Sequence, residues 1–180
     1  MNLFVCVDAN LNILSLNYFK PFEKTIKTIR KLLENKAVVF DNEFQDYISS
    51  VPTCSKIIYD ENVKTNLPEF LSPLPSTKET VIGNMKELFE HLKRVEDKNI
   101  FIIGHKLFEE FFPFVNDIYQ LNLMETVQAK DKFMDIKSNQ NWTFVMNSEP
   151  IFENETTLYF THYKRKRVKH ESSQLEEIGL

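Results

Sequence analysis

The sequence predicts an α/β fold, a mixed sheet flanked by helices. Through the first two-thirds of the chain, short apolar runs alternate with segments of three-and-four spacing, as parallel strands joined by crossover helices require. The last third supplies consecutive strand-like runs with no helix between them, and such strands close antiparallel. The chain has 180 residues, of which 42% are hydrophobic and 27% charged. That length buries one sizeable core and leaves no room for two catalytic domains.

Leu3 to Val7 is a short apolar run ending at Asp8. The turn-like Asp8-Ala9-Asn10 and a second run, Ile13 to Leu16, suggest strand, turn, strand. From Pro21 the period changes: Phe22, Ile26, Ile29, Leu32 and Leu33 share one helix face, while Lys24, Lys27, Lys31 and Glu34 face water. Asn35-Lys36 closes the helix, and Ala37 to Phe40 reads as a buried strand. Lys56 to Tyr59 is a short strand, and Glu61 to Thr80, with three prolines, is a loop. Met85, Leu88, Phe89 and Leu92 stripe a second helix, followed by the strongest buried-strand run, Asn99 to Ile103. Gly104 breaks that strand, Lys106 to Phe112 forms a short helix stopped by Pro113, and Phe108, Phe111, Phe112 and Phe114 are expected in the core. Asp117 to Met124, Trp142 to Met146 and Thr157 to Tyr163 complete the strands, and the chain divides into a domain over 1–166 and a polar tail over 167–180.

Several function classes are excluded by composition. Backbone that wraps phosphates needs glycine for close approach, and the chain has three, Gly83, Gly104 and Gly179. Neither the Rossmann fingerprint nor the Walker phosphate loop can be written with them. Four histidines have no metal-ligand spacing with Cys6 or Cys54, so no metal site is expected. Two cysteines make no disulfide framework, no apolar run is long enough to span a membrane, and the N-terminus lacks a basic region ahead of its apolar stretch. The expectation is an intracellular, cytoplasmic protein without a membrane role.

The string Asn99-Ile100-Phe101-Ile102-Ile103-Gly104-His105-Lys106-Leu107-Phe108, then Phe112-Pro113 and Asp117-Ile118-Tyr119, resembles the strand, glycine turn, helix, proline and next strand of the dihydrofolate reductase family. Lys36 to Phe40, Trp142 and Tyr159 to Lys164 resemble further parts of it, so the likeness runs over residues 1 to 166. It implies a mostly parallel mixed sheet with helices on both faces and an antiparallel C-terminal hairpin. It also implies NADPH as cofactor, with Gly104, His105 and Lys106 holding it, and dihydrofolate as substrate in a pocket of Phe19, Phe22, Ile26 and Ile29.

The residues that carry the family's reaction are largely unmatched. The acid near the start of the first helix aligns with Thr25, and the nearest acid, Glu23, points about 200° away around the helix. The threonine that supports that acid aligns with Leu121, so both members of a buried polar pair are replaced together. Of two adjacent glycines at the cofactor turn, the first is Ile103 and the second Gly104. Where the family has Gly-Arg and a nearby Thr for the phosphates, this chain has Asp41-Asn42-Glu43-Phe44, and Cys54 stands near the place of a folate-gripping arginine. Carboxylates there repel a polyanionic cofactor. The expected function is therefore a divergent relative that has lost the reductase site and serves as a binding or protein-interaction module. The alternative is a working NADPH-dependent reductase with Glu23 or Asp8 as its acid.

Each candidate has a plainer reading. Glu23 in a first helical turn is favoured by the helix dipole without any catalytic duty, and Gly104-His105-Lys106 also serves as a strand-to-helix turn. Lys164, Arg165, Lys166 and Arg167 form a basic patch able to take an acidic protein partner or RNA, or simply a solvated strand end. The net charge of −4 confines any nucleic-acid contact to that patch.

Overall fold

A strand buried along its whole length needs a neighbour on each edge and a layer on each face, and β1 (Asn2–Val7) is such a strand. In the computed structural model, which describes residues 1–41, 55–62, 79–95, 99–129 and 131–167, it lies parallel between β5 (Ile100–Ile103) and β6 (Asp117–Leu123). Beyond β5 the sheet continues, still parallel, through β2 (Ala37–Asp41), β3 (Ser55–Tyr59) and β4 (Glu79–Ile82). Beyond β6 the direction reverses. The long β9 (Thr156–Arg165) runs antiparallel to β6, and its outer edge is shared by β8 (Ile151–Glu153) and β7 (Trp142–Asn147), both antiparallel to it. The expected mixed, mostly parallel sheet with a C-terminal antiparallel hairpin is what the chain forms.

Helices cover both faces. On one, α1 (Glu23–Leu33) buries Ile29 and Leu33 against Phe4, Phe40 and Leu121. On the other, α2 (Met85–Arg94) and α3 (His105–Phe111) bury Leu88, Leu92, Leu107 and Phe111 against Leu3, Val5, Val39 and Ile102. The Asn84 side chain caps α2 by accepting from the Glu87 N–H at 2.8 Å, and Asn35 follows α1 in the left-handed region at φ 59°. α3 ends in a tight turn, Phe112–Phe114, where Pro113 cannot continue the helical bonding.

Three elements depart from the sequence reading. Ile13 to Leu16 is not a strand: Val7 and Ile13 form one isolated bridge, and Leu14 and Leu16 turn into the core instead. Their alternation reflects one buried side of a loop, which a period of two cannot distinguish from a strand. Glu79 and Thr80, expected at the end of the proline-containing loop, belong to the strand Glu79–Ile82, in which Glu79, Thr80 and Val81 stay exposed. The three-residue β8 is too short to leave a pattern. It joins β9 through Asn154 and Glu155, both with positive φ (49° and 61°), the primed turn that matches strand twist. Most of the 61–80 segment, Asn42, Cys54 and the tail from 168 onward lie outside the described residues.

Arg165 is structural. Its Nε donates to the Val115 carbonyl and its Nη2 to the Phe112 carbonyl, each at 2.6 Å, and its guanidinium stands 4.7 Å from the Trp142 ring centre. It therefore ties β9 to the turn after α3. Arg165→Ala leaves two carbonyls without their charged donor and removes the ring contact, at a cost of about 2 kcal/mol. Lys164→Ala, at an exposed position, is expected to cost less than about 0.5 kcal/mol. Urea denaturation of both variants checks the contrast.

Candidate functional site

At the carboxyl ends of β1, β2 and β5 lies a cavity of about 270 Å³. This is where an open α/β sheet places a ligand. Phe4 and Cys6 of β1 form part of its wall, Leu14 and Leu16 another, and Ile103, Gly104, His105 and Lys106 a third. The three residues expected to hold a cofactor thus come together at its rim. Gly104 adopts φ 128°, and a Cβ there would collide with the carboxylate of Asp41, so glycine is required by both backbone and space.

The charges of the cavity are mainly acidic. Asp41 is 5% exposed and lines it, as does Asp131. Lys106 reaches outward to Glu61 at 2.7 Å, so much of its charge is already matched. Burial pushes the Cys6 thiol far above its ordinary range, which keeps it protonated and poorly nucleophilic.

The residues expected to line a substrate pocket sit in the first helix and just before it. Phe19, Phe22 and Ile29 are core residues, with Phe19 and Phe22 ring centres 5.6 Å apart, and Ile26 packs half-buried beside them. None of the four lines the cavity. Glu23 faces solvent in the first turn of α1. Thr25 is fully buried, and it meets a carboxylate that local sequence reasoning did not reach.

That carboxylate is Glu153, at the end of β8. It accepts from the Lys24 N–H at 2.9 Å, the Thr25 N–H at 3.0 Å and the Thr25 hydroxyl at 3.0 Å. The helix has no side-chain cap of its own, because its N-cap residue is Phe22. A carboxylate is the natural occupant of such a terminus, where free N–H groups and the helix dipole both favour negative charge. Asn154 adds a bond from its Nδ2 to the Pro21 carbonyl at 3.1 Å, which docks the hairpin turn on the start of the helix. Glu153 lies 128 residues from Thr25, and the visible clue was only the polar pair Asn154-Glu155 between two strand-like runs.

Asp8 is committed in the same way. It is buried and accepts from the Asn10, Asn12 and Val127 N–H groups and from Asn12 Nδ2, at 2.7–2.8 Å. These bonds pin the loop after β1 to the segment after β6. Burial acts to raise the carboxyl, but the bonds from Val127, Asn12 and Asn10 outweigh it and hold Asp8 below its ordinary value. Glu153 follows the same balance: burial raises it, and the Lys24 and Thr25 donors bring it lower.

The geometry defines an open α/β sheet with a small acidic cleft at its strand ends. Among solved structures the chain is similar to dihydrofolate reductase from Enterococcus faecalis complexed with NADP(H) and RAB-propyl, at a TM-score of 0.63 and 15% identity, covering 92% of this chain and 96% of that one. The fold is therefore dihydrofolate reductase-like. In sequence it is similar to a probable kinetochore protein NUF2 of Debaryomyces hansenii, 27% identical over 178 residues and covering 94% of this chain. The chain spans about a third of that relative's length, 34%. No family model matches. No helix among the described residues is long and apolar enough to cross a membrane.

Carboxylates held below their ordinary values stabilise the fold above those values and cease to do so as pH falls through the lowered ones. For Asp8 and Glu153 the ordinary values are 3.8 and 4.5, so their contribution is complete above about pH 5 and is lost at lower pH. Glu153→Gln is expected to destabilise the fold by about 1 kcal/mol at pH 7. The gap between variant and parent closes in acid. Thermal melts of both proteins from pH 7 to pH 2.5 measure it.

Proposed function

We propose that this chain is a dihydrofolate reductase-like protein that does not carry out the reductase reaction and works by binding a protein partner. The observation that carries the reading is the use of Thr25 and Glu153. The position aligned with the family's acid holds a buried threonine, and the carboxylate that meets it is spent on capping α1 outside the cavity lining. Hydride transfer to a pterin needs a proton delivered at the ring, and neither Glu23 in solvent nor four-fold bonded Asp8 is placed to deliver one. On the cofactor side, buried Asp41 lies against Gly104, where a pyrophosphate would need to approach. A volume of about 270 Å³ suits one ring system better than a whole dinucleotide.

For the partner, the basic rim offers Lys164, Lys166 and Arg167, all exposed, while Arg165 is taken up internally. In a chain of net charge −4, the exposed cations among the described residues of this rim suit an acidic protein segment better than RNA. The sequence likeness to a protein named for the kinetochore points the same way, toward assembly rather than a reaction.

A second reading, an NADPH-dependent dihydrofolate reductase, is favoured by one observation. The cavity is bordered by Gly104, His105 and Lys106, and the similar Enterococcus faecalis structure holds NADP(H). The two readings separate in calorimetric titration with NADPH and then dihydrofolate, followed by an assay of dihydrofolate-dependent NADPH oxidation. The binding reading expects no saturable heat and no turnover. Micromolar NADPH binding with turnover would establish the reductase instead.

A further inference from the structure

β7 is an outer strand of the sheet. It pairs with β9 on one edge, and among the described residues no strand lies on its other edge. Such an edge presents unpaired backbone groups to any strand of matching character. The side chains add to the invitation. From Trp142 to Ser148 the chain carries no charge, and Phe144, Val145 and Met146 are 54%, 45% and 55% exposed. Phe144 lies across from Tyr163 and Met146 across from His162, with a bulge at Val145 between them. Isolated exposed apolar residues are ordinary, but three in succession on a free edge are the mark of a contact surface.

The two ends of this edge carry opposite charge. At its start, the Lys166 N–H donates to the Asn141 carbonyl at 2.8 Å, and Lys164 lies across from Thr143. Both lysines are exposed, and Arg167 follows them. At its end stand exposed Glu149 and then Pro150, which cannot extend the ladder. An occupant therefore needs an uncharged apolar centre, an acidic end and a basic end, running in the opposite direction. β7 itself has that character.

The geometry points to a symmetric dimer in which β7 of a second copy of this chain pairs antiparallel with β7 of the first, about an axis near Val145. Phe144 then lies across from the partner's Met146, and Asn141, with Lys166 beside it, across from the partner's Glu149. The two-fold axis repeats both contacts, as an isologous interface requires. Parallel pairing would set the lysines beside one another and lose the match. The acidic counterpart of the basic rim is on this view a second copy, and this identification of the partner rests on the binding reading above. The dimer itself concerns an edge apart from the cleft.

Sedimentation equilibrium of the full chain over a range of concentration tests it. The dimer gives a species of twice the 21.3 kDa chain mass. Val145→Lys, at an exposed position, weakens association by about tenfold or more by placing like charges at the axis. Glu149→Lys weakens it similarly, and mixing Glu149→Lys copies with Lys164→Glu/Lys166→Glu copies restores a dimer that neither forms alone. Circular dichroism spectra of the variants should match the parent, which shows that each variant still folds. A chain that remains monomeric at its highest soluble concentration overturns the proposal, as does a dimer that survives Val145→Lys undiminished. A monomer that also ignores NADPH leaves the binding reading in place with a different protein as partner. A dimer with reductase turnover removes that reading and leaves the interface.

Discussion

A carboxylate from the last hairpin closes the N-terminus of the first helix, and much of the molecule is arranged around that contact. Left to itself, α1 begins at a phenylalanine that cannot cap it. Glu153 supplies the missing acceptors to Lys24 and Thr25, and Asn154 holds the preceding Pro21. The contact requires β8 to stop where it does and to turn at Asn154-Glu155 despite the positive φ of both residues. It requires β9 to lie along β6 in the register that sets Leu121 beside Phe160. One ion at one helix end thus couples the antiparallel part of the sheet to the helix that covers the parallel part.

The same contact leaves Glu153 apart from the cavity lining. A small cavity lies at the ends of β1, β2 and β5. Its walls are apolar and its charges come chiefly from Asp41 and Asp131, while Asp8 and Glu153 serve as acceptors for backbone and loop. Carboxylates engaged in this way favour the charged form. Two carboxylates, Asp8 and Glu153, thus serve the scaffold, pinning a loop and a helix end.

Much of the fold was legible because it is written in local patterns. The apolar runs within β1, β2 and β5 suit buried parallel strands, and the stripe of Phe22, Ile29 and Leu33 suits a helix packed on a sheet. β4, the last strand on its side of the sheet among the described residues, escaped notice because Glu79 and Thr80 carry no apolar signature. The site was less legible, since its decisive contacts join residues far apart in the chain. Nothing near Thr25 announces Glu153, and nothing near Arg165 announces the Phe112 and Val115 carbonyls it binds. The basic run Lys164 to Arg167 looked uniform in sequence, yet alternation along β9 turns Arg165 inward and leaves its neighbours exposed.

The most direct test of this account is residue-resolved hydrogen exchange at the start of α1, compared between the parent chain and Glu153→Gln at neutral pH. First-turn amides of a helix have no intrahelical acceptor and exchange quickly unless something outside the helix holds them. The account predicts protected Lys24 and Thr25 amides in the parent and clear loss of protection in the variant, with β1 and β5 unchanged. Equal, rapid exchange of those two amides in both proteins would contradict it, and the carboxylate of Glu153 would then be free for another purpose.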